Sequence, residues 1–365
     1  MSHVSTPQRS DSDAPSRRRG GRGRKRQRTG KRRVGRWILL TLTVLVLAAA
    51  GTAYWLYNDL NGNIKGVDLD EAIGDDRPEK LPTSGQNLLV LGSDSRSGAN
   101  SDLDGGSKIS GARSDTALVI HIPEGREKAV AVSIPRDTLI TRPECTTRDG
   151  STLPSAKRVM FNSVYSLAGP ACVVKTVEKM SGVRMDHLME VDFAGFKGLV
   201  DAIGGVSVTL DEPIEPLNLS AGTHELDGEQ SLKFVRTRYG YGDGSDLGRI
   251  GLQQQFMIAL LSEIKKQDLF GSPTKTYKIA ESLTESLTTD SGLDSLTELA
   301  DFGRSMNGID PSTMETIMLP VKYDTQDPNR VVAAQPQAGQ LWKAIRTDAQ
   351  IPESAKKSPA NGGRS

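Results

Sequence analysis

The sequence predicts an α/β fold, an α/β/α sandwich with a mixed central β-sheet, preceded by one transmembrane helix. Three observations carry that expectation. Short runs rich in Val, Leu and Ile recur at residues 87–91, 116–122 and 129–134, each bounded by turn-forming residues, as buried strands are. Other segments space their apolar residues helically, most clearly 193–203, where Phe193, Phe196, Leu199, Val200 and Ile203 share a face and Gly204-Gly205 supplies a stop. The two kinds of segment alternate irregularly, which favours a mixed sheet covered by helices over a strict dinucleotide-binding repeat.

The charge distribution divides the chain of 365 residues more sharply than its formal net charge of +1 suggests. Residues 1–36 hold 13 Lys and Arg against two acids, Asp11 and Asp13, leaving 33 basic and 43 acidic groups, a net of −10, for the rest. The basic run is interleaved with Gly, Ser and Gln and has no apolar face to bury, so residues 1–36 are expected to be a disordered arm. A nucleic-acid-binding arm is the other reading. The uncharged stretch that follows at once argues against it, because Lys and Arg beside such a stretch mark the cytoplasmic side of a membrane.

Residues 38–57 are 20 uncharged residues, roughly 30 Å as a helix and enough to span a bilayer. Trp37 lies at one edge and Tyr54, Trp55 and Tyr57 at the other, where interfacial aromatics belong. The transmembrane helix is therefore placed at 37–57, single-pass, with the N-terminus cytoplasmic and the remainder outside the cell membrane. A cleavable signal peptide is the alternative, since Ala48-Ala49-Ala50 offers small residues, but the basic region is long for that and the apolar run continues beyond. Cys145 and Cys172, the only cysteines, both fall on the oxidising side, which favours a disulfide over two buried thiols.

Beyond the anchor, residues 58–85 are polar and rich in Gly and Pro, a stalk. After the three strands come helices at 159–167 and 173–180 with Gly169-Pro170 between them, the helix 193–203 and the strand 206–210. One helix then leads to Arg236 and another spans about 249–266; further helices are expected at 273–287 and 293–306, and a late strand at 314–321. Residues 351–365 read as a loose tail. No internal repeat is present.

The chemistry-bearing residues cluster at the ends of the predicted strands. They are Gly92-Ser93-Asp94-Ser95-Arg96, Arg113-Ser114-Asp115-Thr116, Ser133-Ile134-Pro135-Arg136-Asp137-Thr138, Val235-Arg236-Thr237-Arg238 and Asp246-Leu247-Gly248-Arg249. Fixed guanidinium forks meet phosphate oxygens bidentately, and carboxylate oxygens suit a hard cation bridging them, so the set reads as a site for a metal and a polyphosphate. Ordinary roles compete: Asp94 and Asp115 as turn or cap residues, the arginines as surface ion-pair partners. There is no Gly-x-Ser-x-Gly elbow, His-x-x-x-His helix or Gly-Lys-Ser/Thr loop, which leaves serine hydrolases, zinc proteases and P-loop kinases without support.

In order, these blocks resemble the LytR-CpsA-Psr family, which moves lipid-linked glycopolymers onto peptidoglycan. The likeness runs over about 86–261 and includes Asn87-Leu88-Leu89-Val90-Leu91, Val191-Asp192-Phe193-Ala194-Gly195-Phe196, Val200-Asp201-Ala202-Ile203-Gly204-Gly205-Val206 and Leu226-Asp227-Gly228-Glu229-Gln230. It implies a catalytic domain at 86–350 that binds Mg²⁺ (or Mn²⁺) through Asp94 and Asp115. Phosphate would be held by Arg113, Arg136, Arg236, Arg238, Arg249 and Gln253, with Arg136, Arg236, Arg238 and Asp94 catalytic. Leu252 stands where many members carry another Arg.

The resemblance further implies a phosphotransferase whose partners are a polyprenyl-pyrophosphate-linked glycan, a peptidoglycan acceptor and the lipid bilayer, with no nucleic acid. It would release undecaprenyl monophosphate, with pyrophosphatase activity on the side. Phe193, Phe196, Leu199 and Val200 would line a lipid pocket, though such a helix face serves equally as core. The paired cysteines and the 240–246 loop look most like actinobacterial members, which points to arabinogalactan as the polymer. Two other functions fit the same residues: a non-catalytic polyprenyl-phosphate binder and a membrane-bound transcriptional attenuator.

Overall fold

The computed structural model describes residues 29–80, 83–93, 114–126, 128–147, 149–237, 246–267 and 272–362. It divides into two units, 1–55 and 56–365. The first holds most of helix α1 (Thr29–Asn63), of which Gly35–Asn63 is long and apolar enough to cross a membrane. Leu39, Leu42, Leu45 and Leu47 are each more than half exposed, the environment a lipid-facing helix presents.

In the second unit β1 (Lys65–Val67) and α2 (Leu69–Ile73) precede β2 (Gln86–Ser93), β3 (Ser114–Ile122) and β4 (Val130–Ser133). Four short strands follow, β5 (Leu139–Arg142), β6 (Cys145–Thr146), β7 (Thr152–Leu153) and β8 (Ala156–Met160), then α3 (Phe161–Ser181). Next come β9 (His187–Asp192), α4 (Phe193–Ile203), β10 (Val206–Leu210), β11 (Gly222–Leu226), α5 (Gly228–Arg236) and α6 (Asp246–Lys266). The remainder is α7 (Pro273–Glu285), β12 (Leu287–Asp290), α8 (Leu296–Ser305), β13 (Glu315–Met318), β14 (Val321–Tyr323), β15 (Val331–Ala333) and α9 (Gln337–Arg346).

Seven strands form the central sheet in the order β1-β12-β9-β2-β3-β4-β13. The pairs β1/β12, β9/β2 and β4/β13 are parallel and the others antiparallel, so the sheet is mixed as expected. Strand periodicity sorts the apolar residues between two faces. Leu89, Leu91, Val119 and Val132 join a core with Val173 and Val177 of α3 and Leu341 and Trp342 of α9. Leu88, Ile120, Ile122 and Ala131 turn the other way, toward Met257 and Leu261 of α6 and Phe302 of α8. Each fully buried side chain of this size contributes about 1.5–3 kcal/mol, an upper estimate that ignores residual burial in the unfolded chain.

A third core joins α4, the β10–β11 hairpin, α5 and α6 through Val200, Val206, Phe234 and Phe256. Helix α4 can lie close to the end of α7 only because Gly195 has no side chain; a Cβ there would sit 1.9 Å from the Cβ of Ser286. Cys145 and Cys172 are joined in a disulfide, their Cα atoms 5.6 Å apart, which ties β6 to the middle of α3.

Several boundaries differ from the sequence expectation. Residues 58–85 are not a stalk: β1 pairs with β12, Leu69 and Ile73 are buried in the main core, and Arg77 reaches Glu178 on α3. The turn residues there shape short connections within the domain rather than a solvated tether. Nor are residues 351–362 loose, since Ile351, Ala355 and Ala360 are buried and the Ser358 hydroxyl accepts from the Val321 amide. The late strand splits into β13 and β14 at Pro320, which has no amide hydrogen to continue a ladder. The helices expected at 159–167 and 173–180 are found as the two halves of α3, which meet at a kink at Gly169 (φ 75°) before Pro170; the first half starts at Phe161. Leu287 belongs to β12 rather than to the helix before it.

Candidate active site

Residues 133–138 leave the C-terminal end of β4 and are fastened to the start of α3. Asn162 N donates to the Arg136 carbonyl (3.0 Å) and Phe161 N to the Thr138 carbonyl (2.9 Å), so helix-end amides that lack intrahelical partners hold this loop. The Thr138 hydroxyl donates to the Pro135 carbonyl at 2.6 Å, and Val331 N reaches the Asp137 carbonyl. The Arg136 side chain is largely buried, its Nε 3.6 Å from one Asp137 oxygen, while Nη1 of Arg330 lies 3.6 Å from the other.

Helix α6 docks on the same strand end. Gln254 Nε2 donates to the Ser133 hydroxyl (2.9 Å), and Gln253 Nε2 to the Val235 carbonyl in the last turn of α5 (3.0 Å). Arg249, in the first turn of α6, is buried. Arg236 is exposed at the end of α5, its guanidinium 4.9 Å above the Phe193 ring at the start of α4, a geometry in which the ring's negative face attracts the cation. Helix α4 continues directly from β9, capped by Asp192, whose carboxylate accepts from Gly195 N (2.9 Å).

These contacts gather around the C-terminal ends of β2, β4 and β9. Ser93 pairs with Asp192 on one side and with Ser114, the first residue of β3, on the other, with a register shift between Gly92 and Ser93. Beneath that end lies a buried polar chain: the Ser93 hydroxyl is 3.1 Å from the Tyr165 hydroxyl, which donates to the Glu190 carboxylate. Burial makes a carboxylate costly unless it accepts such bonds.

Of the residues expected at the site, Arg136, Arg236, Arg249 and Gln253 thus fall on segments in mutual contact. Asp115 lies in β3, one residue past the Ser93–Ser114 pair. Asp94, Arg113 and Arg238 lie outside the described residues. Gln253 has its amide nitrogen engaged by Val235. Leu252 is buried in the third core, where a charged residue would need a partner. Leu199 and Val200 are likewise packed in that core, Phe196 stacks at 5.4 Å on Phe256, and Phe193 lies under Arg236. Leu199 and Val200 thus belong to the third core, with Phe196 packed against it.

Sequence reasoning passed over Asp137, Gln254, Arg330, Tyr165 and Glu190. Asp137 stands inside a motif already noted, and Gln254 adjoins the named Gln253, so both were within reach. The other three carry no local pattern, and only the topology brings them to this end of the sheet.

Residues 56–347 match the LytR_cpsA_psr family. The probable cell wall biosynthesis protein LcpB of Corynebacterium glutamicum is 33% identical over 62% of this chain and 53% of its own length. LcpA, a cell wall biosynthesis protein of the same organism, is 28% identical over 79% of this chain and 60% of its own length. The chain therefore spans between half and three-fifths of these two relatives. The polyisoprenyl-teichoic acid–peptidoglycan teichoic acid transferase TagU of Oceanobacillus iheyensis is 30% identical over 80% of this chain and 88% of its own length. Among solved structures, a LytR-Csp2A-Psr enzyme from Actinomyces oris superimposes with a TM-score of 0.56 at 23% identity, covering 77% of this chain and 95% of its own. The complex of TagT with LI-WTA gives 0.58 at 23% identity, covering 77% and 98%. The α/β/α architecture is thus shared with these structures, and the chain belongs to the LytR_cpsA_psr family.

Proposed function

We propose that the chain is a membrane-anchored phosphotransferase that moves a glycopolymer from a polyprenyl-pyrophosphate carrier to peptidoglycan. The observation that carries this reading is the meeting of Arg136, Arg236 and Arg249 on contacting segments at one end of the sheet, in a family whose relatives include a teichoic acid transferase. The basic arm and α1 support an anchor with the N-terminus in the cytoplasm and the domain outside.

A sugar hydroxyl of the acceptor attacks the glycan-side phosphorus in line, the phosphodiester forms, and the bond to the second phosphate breaks. The lipid monophosphate leaves with that bond's electron pair, and the acceptor hydroxyl's proton is lost to solvent. Catalysis of this kind rests on positioning and on charges fixed in advance. Arg136, held by the amides of α3, and Arg249 meet the transferring phosphoryl oxygens. Arg236, steadied by Phe193, adds a third guanidinium, and the family resemblance assigns Arg113 and Arg238 to the same phosphates. The family resemblance assigns Mg²⁺ (or Mn²⁺) to Asp94 and Asp115, whose carboxylate oxygens suit a hard cation. The cation supplies charge neutralisation at the phosphate oxygens when bound.

The test is incubation of the purified full chain, in detergent, with a lipid-pyrophosphate glycan and peptidoglycan. Glycan in phosphodiester linkage to peptidoglycan, with equimolar lipid monophosphate, is expected. Tight lipid binding without either product would replace the transferase by a binding protein.

A further inference from the structure

A cavity of about 410 Å³ opens at the opposite end of the sheet, at the start of β2. Its wall includes Gln86 and Asn87, and Asn87 is separated from Ser93 by six residues of strand, roughly 20 Å. No group bound in the cavity touches the site at the far end of that strand.

Four cations line it: Lys80, Arg126, Arg184 and Arg346. Two are held entirely by neutral acceptors. Arg126 Nη1 donates to the carbonyl (3.2 Å) and hydroxyl (2.9 Å) of Ser305, and Nη2 to Gln86 Oε1 (3.1 Å). Arg346 Nη1 donates to the Ser181 carbonyl (3.2 Å) and lies against Gly182, where a Cβ would come within 2.5 Å of it. Carbonyls fix these guanidiniums without cancelling their charge.

Asp70 pairs with Arg184, 3.3 Å from its Nη2, and the other carboxylates nearby divide their bonds between backbone amides and side chains. Asp186 accepts from Asn87 N (2.9 Å) and stands 3.9 Å from Lys80; Asp348, behind Gly85, binds His121 (3.0 Å) and Glu124 N (2.9 Å). Glu79 is exposed at the rim. Two lining groups, Arg184 Nε and the Thr83 hydroxyl, are buried with no hydrogen-bond partner among the described residues. Buried donors without partners are rare in folded proteins and mark places where a ligand or water completes the set.

We propose that this cavity binds an oxyanion carried on a saccharide, an anionic glycan unit. The guanidiniums meet the phosphate or carboxylate. The volume exceeds what a bare oxyanion fills and lies in the range of small-molecule sites. The hydroxyl and amide lining of Thr83, Ser84 and Gln86 suits sugar hydroxyls better than an apolar ligand. The inference does not depend on the transferase reading.

The test is calorimetric titration of the full chain in detergent with glucose 1-phosphate, glucuronate and uncharged glucose. At least one anionic sugar is expected to bind saturably and glucose not at all; the preferred anion tells phosphate from carboxylate as the group recognised. Arg126→Gln and Arg346→Gln should each weaken binding roughly tenfold, the size of a lost charged hydrogen bond, while Arg136→Gln leaves it unchanged. Should the first two fail to fold, Lys80→Gln, at a side chain 68% exposed, decides with an expected weakening of roughly threefold. Binding of glucose equal to that of the anions, no saturable binding, an affinity indifferent to the pocket variants, or loss only in Arg136→Gln would overturn the proposal.

Discussion

At the C-terminal ends of β2 and β4, Arg136 shares the Asp137 carboxylate with Arg330, whereas at the start of β2 Arg126 and Arg346 rest on carbonyl, hydroxyl and amide oxygens. The first arrangement carries an internal counterion that moderates its field. The second leaves its charge uncompensated. Under the two proposals, clusters of the same residue type do different work: one meets a transient, multiply charged group beside a braced loop, the other keeps a standing contact with a single anion.

The largest expected effect separates the two ends. Arg136→Ala should lower glycopolymer transfer roughly 10²–10³-fold, the loss seen when one preorganised transition-state donor is removed, and leave anionic-sugar binding intact. Lipid monophosphate release measured beside calorimetry checks both halves; a parallel loss of both would merge the two sites into one.

Bracing at the active-site end depends on the strands that follow Thr138. Replacing Cys145 and Cys172 together by Ser should lower stability by about 3 kcal/mol, since the bridge closes a loop of 27 residues. Urea unfolding measures the loss, and non-reducing peptide mapping should recover one linked pair in the native protein. Two freely alkylated thiols would remove this brace from the comparison.

At the basic end the corresponding brace is Gly182, which ends α3 in the left-handed region at φ 65° and lets Arg346 lie against it. Gly182→Ala should destabilise by about 1 kcal/mol from backbone conformation and should weaken anionic-sugar binding by displacing Arg346. Unchanged binding in a folded Gly182→Ala protein would show that Arg346 does not need this seat.

The smallest effect is a pH dependence near the active-site loop. Arg158 donates to both oxygens of Asp324 (3.1 and 2.8 Å) and holds that carboxyl down at about 2. A depressed folded-state value means the pair stabilises fully above about pH 4, the unfolded value. That contribution fades as pH falls through about 2. Asp324→Asn should lower stability at neutral pH and so flatten the profile over that acid window, where the pair no longer contributes. Thermal melts across the range check it.

The two ends also differ in how far they could be read from the chain. Arg136, Arg236 and Arg249 stand in contiguous motifs at the ends of segments whose apolar periodicity is plain, so helix 193–203 and strand 206–210 emerge with their observed limits. Arg126, Arg184 and Arg346 sit in a turn, a connection and a terminal helix with nothing shared between them. Only the parallel pairing of β9 with β2 and the docking of α9 bring them together. Residues 58–85 depart from the expected stalk for a related reason: a three-residue edge strand and a five-residue helix are too short to show a period, and they hold their shape through tertiary contacts.

That segment bears on where the domain can be cut. Arg77, 5% exposed, spans the exposed Asp70 and the buried Glu178, and also donates to the Met185 carbonyl at 2.7 Å. A protein trimmed to begin at Gln86 would strand Glu178 without its cation, which is strongly unfavourable for a buried charge. It would also strip β1 from β12, leaving an open strand edge ready to pair with another molecule. Such a fragment should precipitate or self-associate on a sizing column where one beginning at Leu56 elutes as a discrete species, so the true left margin of the folded domain lies some thirty residues upstream of the first recognisable motif.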